Sequence, residues 1–425
     1  MKIIVQPERK DWNQLLQRPY VDNSPVLAKV QEILEAVKVD GDVAIRRFSE
    51  QFDGVVLDEL KVSSEEIAAA EKEVTEALKK AIQQAKSNIE TFHQSQLFNS
   101  EVVSTMPGVQ CWQKWIGIDK VGLYIPGGTA PLFSTVLMLA VPAKLAGCKE
   151  IVLCTPATGG KVHPAILYAA QQAGVTTIYK VGGAQAIAAM AYGTQTIKAV
   201  YKIFGPGNQY VTAAKQLVQM QGVAIDMPAG PSEVCVLADE TADAAFIAAD
   251  LLSQAEHGAD SQVLLVSTNS DLVEKVNTEL EKQLALLPRQ AMAQKALENS
   301  KAIIVNDLSE AIELVNEYAA EHLIISCKDA DAIAQKITNA GSVFIGNYSP
   351  ESVGDYASGT NHTLPTNGFA KAYSGLSTES FMKKITYQKL TQQGLQAIAP
   401  TVIEMAEGEG LKAHAEAVRV RMKNI

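Results

Sequence analysis

Short apolar runs that are rich in β-branched residues alternate with Ala-rich stretches of helical spacing from about residue 106 onward. The runs end in Gly or Pro, as in VGLYIPGG, KEIVLCTPA, VTTIYKVGG and AVYKIFGPG. Strands that alternate with helices in this way favour parallel βαβ units. A second series of the same kind runs from EVCVLAD to SVFIG. The sequence therefore predicts an α/β protein with two incomplete, doubly wound, mostly parallel sheets.

The remainder of the chain has a different pattern of apolar and polar residues. The stretch 65–94 spaces its apolar residues at three and four, with Glu and Lys on the other face, which predicts amphipathic helix. These patterns divide the chain into a helical N-terminal segment, a first and a second α/β domain, and a helical C-terminal segment, with the bounds 1–105, 106–235, 236–375 and 376–425.

Composition excludes several classes of protein. Of the 425 residues, 47% are apolar and 20% charged, which is enough apolar material for a large core. A net charge of −10 without a basic block argues against nucleic-acid binding. No apolar run is long enough for a transmembrane helix, and MKIIVQPERKDW becomes charged too soon for a signal peptide. Five cysteines without a CxxC pair indicate reduced thiols, so we expect a cytoplasmic protein without membrane contact.

One candidate for metal binding lies at the end of a predicted helix. In LLSQAEHG, Gln254 and His257 are three residues apart, so they share a face near the helix C-terminus. Asp355, in a long stretch without periodicity at 347–377, and His414, in the last helix, could complete a ligand set. A His that favours the negative end of the helix dipole is an equally good reading of the spacing alone.

A candidate acid/base pair precedes the apolar run LIIS. Glu321 and His322 are adjacent, and a carboxylate beside an imidazole suits proton transfer near neutral pH. Neighbours in a regular strand point to opposite faces, so a shared site requires irregular backbone where the strand begins. A solvated Glu beside a capping His is the more common outcome for such a pair taken alone.

Three glycine loops follow predicted strands and open into helices: YIPGGTAP (124–131), VGGAQAIAA (181–189) and FGPGNQY (204–210). Free amides at such helix starts can hold phosphate, and the carboxyl ends of parallel strands are where open α/β sheets bind ligands. One such loop would be only a tight turn, whereas three together favour a nucleotide crevice. The formal GxGxxA match at 408–413 lies between helices, which excludes a dinucleotide fingerprint.

Several segments together resemble the histidinol dehydrogenase family, and they stand in that family's order. They are VGLYIPGGTAPLFSTVLMLAVPAKLAGC, VGGAQAIAA, KIFGPGNQYVTAAK, DMPAGPSEV, DLLSQAEHG, AEHLII, GDYASGTNHTLPT and EGLKAHAEAV. The resemblance implies two incomplete Rossmann-like domains and a homodimer with shared active sites, in which the C-terminal segment crosses to the partner. It also implies one zinc ion per subunit and the oxidation of L-histidinol to L-histidine, through the aldehyde, with two NAD, as the last step of histidine biosynthesis.

The resemblance also implies residue roles. The catalytic pair would be Glu321 and His322. The zinc ligands would be Gln254, His257, Asp355 and His414. The substrate contacts would be Ser232, Gln254, His257, His322, Asp355, Glu409 and His414. The NAD contacts would be Tyr124, Gln185 and Asn208.

Two further expectations concern the end of the chain. Glu409 and His414 are five residues apart, about 140° around a regular helix. They can converge only if a helix begins at about residue 410. His362, in TNHTLP, is expected to be a structural loop residue.

Two other functions remain open on the residues alone. A zinc hydrolase could use the Gln/His/Asp/His set to activate water, with the glycine loops as mere turns. A binding protein could use a cleft between two α/β domains without turnover.

Overall fold

The Gly- and Pro-bounded runs form two parallel sheets. The structure is a computed structural model that describes residues 1–18, 24–98, 100–127, 130–227 and 230–423. Its N-terminal part contains a 3₁₀ turn at Arg9–Asp11 and the elements β1 (Lys2–Val5), α1 (Trp12–Leu15), α2 (Ser24–Asp40), α3 (Asp42–Asp53), α4 (Ser64–Glu73) and α5 (Glu76–Gln94). Two strands follow, β2 (Val103–Met106) and β3 (Val109–Gly117).

The first parallel sheet has five strands. Its elements are β4 (Lys120–Tyr124), α6 (Phe133–Leu145), β5 (Glu150–Cys154), α7 (Pro164–Ala173), β6 (Thr177–Tyr179), α8 (Gly183–Tyr192), β7 (Lys202–Phe204), α9 (Gln209–Met220) and β8 (Ala224–Ile225). The strand order is β6-β5-β4-β7-β8, so the chain starts in the centre and winds outward in both directions. This is the Rossmann order without its sixth strand.

The second sheet repeats this plan with six strands. Its elements are β9 (Glu233–Ala238), α10 (Ala244–Ala255), β10 (Gln262–Ser267), α11 (Ser270–Leu284), α12 (Gln290–Glu298), β11 (Lys301–Ile304), α13 (Leu308–Tyr318), β12 (His322–Ser326), α14 (Ala330–Ala334) and β13 (Ser342–Ile345). The order is β1-β11-β10-β9-β12-β13, with all pairs parallel. The predicted α/β class with two incomplete doubly wound sheets is confirmed.

Both sheets are covered on both faces. In β4, Val121 and Leu123 pack with α5, α6 and α7, whereas Tyr124 packs with α2, α8 and α9 on the opposite face. In β9, Val234 and Cys235 likewise belong to cores on opposite faces. Strands buried on both faces read as continuous apolar runs, which is why the sequence reveals them so clearly.

The last part of the chain contains 3₁₀ turns at Phe369–Lys371 and Thr378–Phe381 and the elements α15 (Glu351–Tyr356), β14 (Met382–Leu390), α16 (Gln392–Gly408) and α17 (Lys412–Met422). Strand β14 pairs antiparallel with β3, which also pairs with β2. The predicted helix start near residue 410 lies at Lys412, after Gly410 with φ +76°.

Two strands depart from the expectation that the terminal segments are helical. Strand β1 of the N-terminal segment completes the second sheet by pairing with β11, almost 300 residues later in the sequence. Strand β14 carries Lys383, Lys384 and Lys389 and is largely exposed, so it lacks the alternating apolar pattern that marks a half-buried strand. None of the helices in the described ranges has the length and apolarity needed to cross a membrane.

Candidate active site

The acid/base pair lies at the amino edge of the second sheet, where β12 begins. His322 is the first residue of β12, and Glu321 occupies the bend before it. Both residues are buried, and Glu321 Oε2 lies 3.7 Å from His322 Nδ1. The irregular backbone that a shared site requires is therefore present, and it brings two sequence neighbours to one side of the sheet.

A single neighbouring residue holds both side chains through its backbone. The backbone N–H of Glu233 donates to Glu321 Oε2 at 2.9 Å. The backbone carbonyl of Glu233 lies 3.1 Å from His322 Nδ1. Since a carbonyl oxygen can only accept, Nδ1 carries the proton in this contact, and Nε2 is the ring nitrogen that remains available.

Helix α15 supplies two carboxylates to the same place. Asp355 Oδ1 lies 3.5 Å from His322 Nε2, and Glu351, one turn earlier, is buried with Oε2 unpaired. Ligand atoms of His322, Glu351 and Asp355 all lie within 4.8 Å of one another. Glu351 is not among the residues predicted from the sequence, although its spacing of four from Asp355 places both carboxylates on one helix face and could have revealed it.

The site is electrostatically unusual because carboxylates outnumber cations. Burial alone would lower the pKa of His322, but Glu321, Glu351 and Asp355 outweigh it and raise the pKa to about 10. Burial raises the pKa of Glu321 to about 7 and that of Glu351 to about 8. Such a cluster favours an additional cation.

The C-terminal end of α10 brings the predicted metal pair to this edge. Gln254 is fully buried, and neither its amide nitrogen nor its amide oxygen has a hydrogen-bond partner among the described residues. His257 follows the helix end, close enough to Asp355 and His322 for their charges to act on its imidazole. A buried amide without a partner is costly, so its oxygen fits a ligand role.

The donor set therefore fits a zinc ion. Gln254 and Asp355 each offer a buried oxygen without a hydrogen-bond partner among the described residues, and the exposed His257 offers an imidazole nitrogen, a combination that suits a borderline-soft divalent cation. His414 and Glu409 do not join this group within one chain. Both side chains are exposed, one on α17 and the other at the end of α16.

His362 contacts the backbone of Asp355 and links it to the first sheet's helices. Its Nδ1 donates to the Asp355 carbonyl at 2.9 Å, and its Nε2 accepts from the Thr135 hydroxyl at 3.1 Å. Thr135 belongs to α6, so this imidazole connects the first sheet's helices to the segment that carries Asp355. These contacts fit the structural role expected for His362.

A cleft of about 850 Å³ opens between the two sheets, and Asn208, Ser232 and His257 line it. Asn208 caps α9, since its side-chain oxygen accepts from the backbone N–H groups of Tyr210 and Val211. The carboxyl edge of the first sheet thus faces the amino edge of the second across this cleft.

Tyr124 and Gln185 lie together at the carboxyl edge of the first sheet. The Tyr124 hydroxyl accepts from the Gly183 backbone N–H at 3.0 Å, and burial raises the pKa of Tyr124 to about 12. Gln185 is 1% exposed, and neither polar atom of its amide has a hydrogen-bond partner in the part of the chain that the structure describes. An unpaired buried amide beside a helix start is suited to a bound ligand.

Two sheets of Rossmann order, with an imidazole–carboxylate pair buried at the amino edge of one of them, are typical of a nucleotide-dependent oxidoreductase. The model of one protein family, histidinol dehydrogenase, matches residues 16–422. Histidinol dehydrogenase from Bacteroides fragilis strain YCH46 is 61% identical over 100% of both chains. That from Colwellia psychrerythraea strain 34H is 52% identical over 98% of this chain and 96% of the relative.

A solved structure agrees with these relatives. The crystal structure of histidinol dehydrogenase from Elizabethkingia anophelis superimposes with a TM-score of 0.98 at 52% identity, and covers 100% of this chain and 98% of that one. The chain belongs to the histidinol dehydrogenase family and is an NAD-dependent oxidoreductase. The resemblance is confirmed, and the hydrolase and binding-protein alternatives are wrong.

Proposed function

We propose that this chain oxidises L-histidinol to L-histidine with two NAD⁺, as the last step of histidine biosynthesis. Family membership supports a dehydrogenase of that pathway. The observation that carries the finer proposal is the buried pair Glu321 and His322. The backbone N–H and carbonyl groups of Glu233 hold this pair through hydrogen bonds. The pair provides two groups with distinct tasks within 3.7 Å of each other.

Among uncompensated carboxylates the pKa of His322 is about 10, and a cation held by Asp355 would lower it and leave the imidazole neutral. In the first oxidation, the neutral His322 Nε2 accepts the proton of the substrate hydroxyl. As this proton leaves, the carbinol C–H bond breaks, and its electron pair departs as hydride to NAD⁺, which leaves the aldehyde. The bond from Nδ1–H to the Glu233 carbonyl holds the imidazole in the required tautomer. It also stabilises the imidazolium that forms on proton transfer.

The second oxidation requires a water molecule. The Glu321 carboxylate takes a proton from water, whose oxygen adds to the aldehyde carbon. The carbonyl oxygen takes the proton held by His322, which gives the hydrate and restores the neutral imidazole. His322 then accepts a hydroxyl proton of the hydrate as its C–H bond breaks and hydride passes to a second NAD⁺, which yields the acid. The raised pKa of Glu321, about 7, matches a group that must accept and release a proton near neutral pH.

Zinc would be held by Gln254, His257 and Asp355, with His414 from a second copy of the chain. When bound, this ion would orient the imidazole and amine nitrogens of the substrate and offset the surrounding negative charge. The compact group His322, Glu351 and Asp355 is a different donor set. A cation on His322 Nε2 would remove the base, so we assign His322 to proton transfer instead.

Substrate and NAD would meet in the interdomain cleft. Ser232, Gln254, His257, His322 and Asp355 would contact the substrate from the second sheet, joined by Glu409 and His414 of another copy. NAD would lie across the carboxyl edge of the first sheet. Its contacts would be Tyr124, Gln185 and Asn208.

The exposed positions of Glu409 and His414 support a homodimer in which these residues reach the site of the partner. Residues 376–425 would be the crossing segment, beside an N-terminal segment at 1–105 and α/β domains at 106–235 and 236–375. Inactive His322→Asn and His414→Asn subunits should recover activity when mixed, because each mixed dimer contains one intact site. No recovery would contradict shared sites.

The decisive test measures NADH formed per L-histidinol consumed, with and without a chelator. We expect two NADH per substrate, loss of turnover with chelator and recovery with zinc. One NADH per substrate would show an alcohol dehydrogenase that stops at the aldehyde, which would contradict the role of Glu321. No NADH would contradict the substrate assignment.

A further inference from the structure

The side chain of Glu233 takes part in a buried ion pair. Arg18 Nε donates to Glu233 Oε1 and Arg18 Nη2 to Oε2, each at 2.9 Å. The exposed fractions of the two side chains are 17% and 2%. This parallel geometry fixes both planar groups relative to each other.

Further contacts leave this pair little freedom. Glu233 Oε1 also accepts the backbone N–H of Asn367 at 2.9 Å. The Arg18 guanidinium donates to the Tyr318 carbonyl at 2.7 Å and lies over the Tyr318 ring, 4.0 Å from its centre. The ion pair thereby ties together the N-terminal segment, the start of β9, the end of α13 and the loop after α15.

The same residue, Glu233, contacts both catalytic side chains through its backbone. Its N–H orients Glu321 and its carbonyl orients His322, as described above. A rotation of this residue would therefore displace both groups at once. The side chain of Glu233 adds to the pairing of β9 in resisting such a rotation, and Arg18 supplies two of the three donors that it has among the described residues.

We propose that Arg18 and Glu233 are positioning residues, whose ion pair sets the orientation of the Glu233 backbone and hence of Glu321 and His322. This proposal rests on the proposed roles of the catalytic pair. Neither side chain needs to touch the substrate. A pair that merely stabilised the fold would affect unfolding without a selective effect on turnover.

The test uses three variants of the full-length zinc-loaded enzyme. Glu233→Gln keeps shape but removes the charge, Arg18→Met removes the guanidinium, and Arg18→Lys keeps the charge without the two-pronged geometry. We expect kcat to fall about 100-fold in Arg18→Met, because small misplacements of reacting groups have effects of this size. Glu233→Gln should lose a similar factor, and Arg18→Lys should recover part of kcat.

Substrate binding and metal content separate positioning from other defects. We expect the KM for L-histidinol, its calorimetric Kd and the zinc content to remain near wild type, since the ligands at α10 and α15 are unchanged. Glu150→Gln, which removes the same charge from the Lys120–Glu150 pair at the opposite end of the first sheet, is the matched control and should leave kcat unchanged.

Two outcomes would overturn the proposal. Wild-type kcat in Glu233→Gln and Arg18→Met, measured below their unfolding temperatures, would show that the pair has no positioning role. An equal fall of kcat in Glu150→Gln would show a general effect of lost charge. Failure of the wild-type enzyme to oxidise L-histidinol would instead contradict the proposed function, so the two failures are distinguishable.

Discussion

The two doubly wound sheets use opposite edges. The first presents its carboxyl edge to the cleft, where α8 and α9 begin. The second presents its amino edge, where β9 and β12 begin and α10 ends. Helix N-termini favour anions such as a pyrophosphate, whereas helix C-termini favour cations. Although both sheets share one strand order, the edge of the first sheet at the cleft is therefore suited to anions, and the facing edge of the second sheet is suited to cations.

The edges also differ in the side chains that they bury. The amino edge of the second sheet buries Glu321, His322 and Glu351, and their carboxylates raise the pKa of the imidazole. The carboxyl edge of the first sheet buries only the neutral Tyr124 and Gln185 among its predicted contact residues. This difference supports the proposed division, with proton transfer at the second sheet and NAD recognition at the first.

The largest expected effect is on kcat. His322→Asn should lower kcat by roughly 100- to 10,000-fold, the usual contribution of a general base. Zinc content should stay at the wild-type value, because His322 is not assigned as a ligand. The control is His163→Asn, which keeps the N-cap of α7 on the first sheet. Loss of zinc in His322→Asn would mean that this imidazole binds the metal.

The next expected effect is on zinc affinity, measured by competition with a chromophoric chelator. Asp355→Asn should abolish zinc retention, since it removes the charged ligand. Glu351→Gln should weaken affinity only about 10- to 100-fold, as changes beside a metal's direct ligands do. Equal loss in both variants would favour the alternative set that includes Glu351.

A smaller effect is expected at the first sheet. Gln185→Met should raise the KM for NAD about fivefold, because a neutral hydrogen bond contributes about 1 kcal/mol. The thermal unfolding temperature should not fall, since the buried amide has no hydrogen-bond partner among the described residues. A lower unfolding temperature with an unchanged KM would show that Gln185 serves the fold alone.

The smallest expected changes are in stability and KM at Asn208, where two variants separate helix capping from contact with NAD. Asn208→Ala should lower the free energy of unfolding by about 1 kcal/mol through loss of the α9 cap, and should also raise the KM for NAD. Asn208→Ser keeps a capping oxygen, so it should restore stability but not the KM. Recovery of both would contradict a contact between the amide and NAD.

Much of the fold follows from local pattern. Strands such as β4, β9 and β12 are buried on both faces, and their continuous apolar runs are visible without any structure. The exposed strand β14 lacks that signal, and β1 depends on a partner far along the chain. Neither strand could be placed from its own residues.

The candidate site likewise contains residues that the sequence predicts and contacts that only the folded structure reveals. Glu321, His322, Gln254 and Asp355 stand out in the sequence, and the structure places them at one edge. The role of the Glu233 backbone could not be predicted, because every residue has an N–H and a carbonyl. Glu351 could have been found from its helical spacing to Asp355.

The α/β class, the two doubly wound sheets and the family can be predicted from the sequence alone, which also singles out the candidate reactive side chains. Those properties depend on the order of apolar, glycine and polar residues along short segments. The pairing of β1 with the second sheet and the hydrogen bonds from the Glu233 backbone to Glu321 and His322 are visible only in the folded molecule. These are long-range pairings, and their energies depend on which segments meet in space.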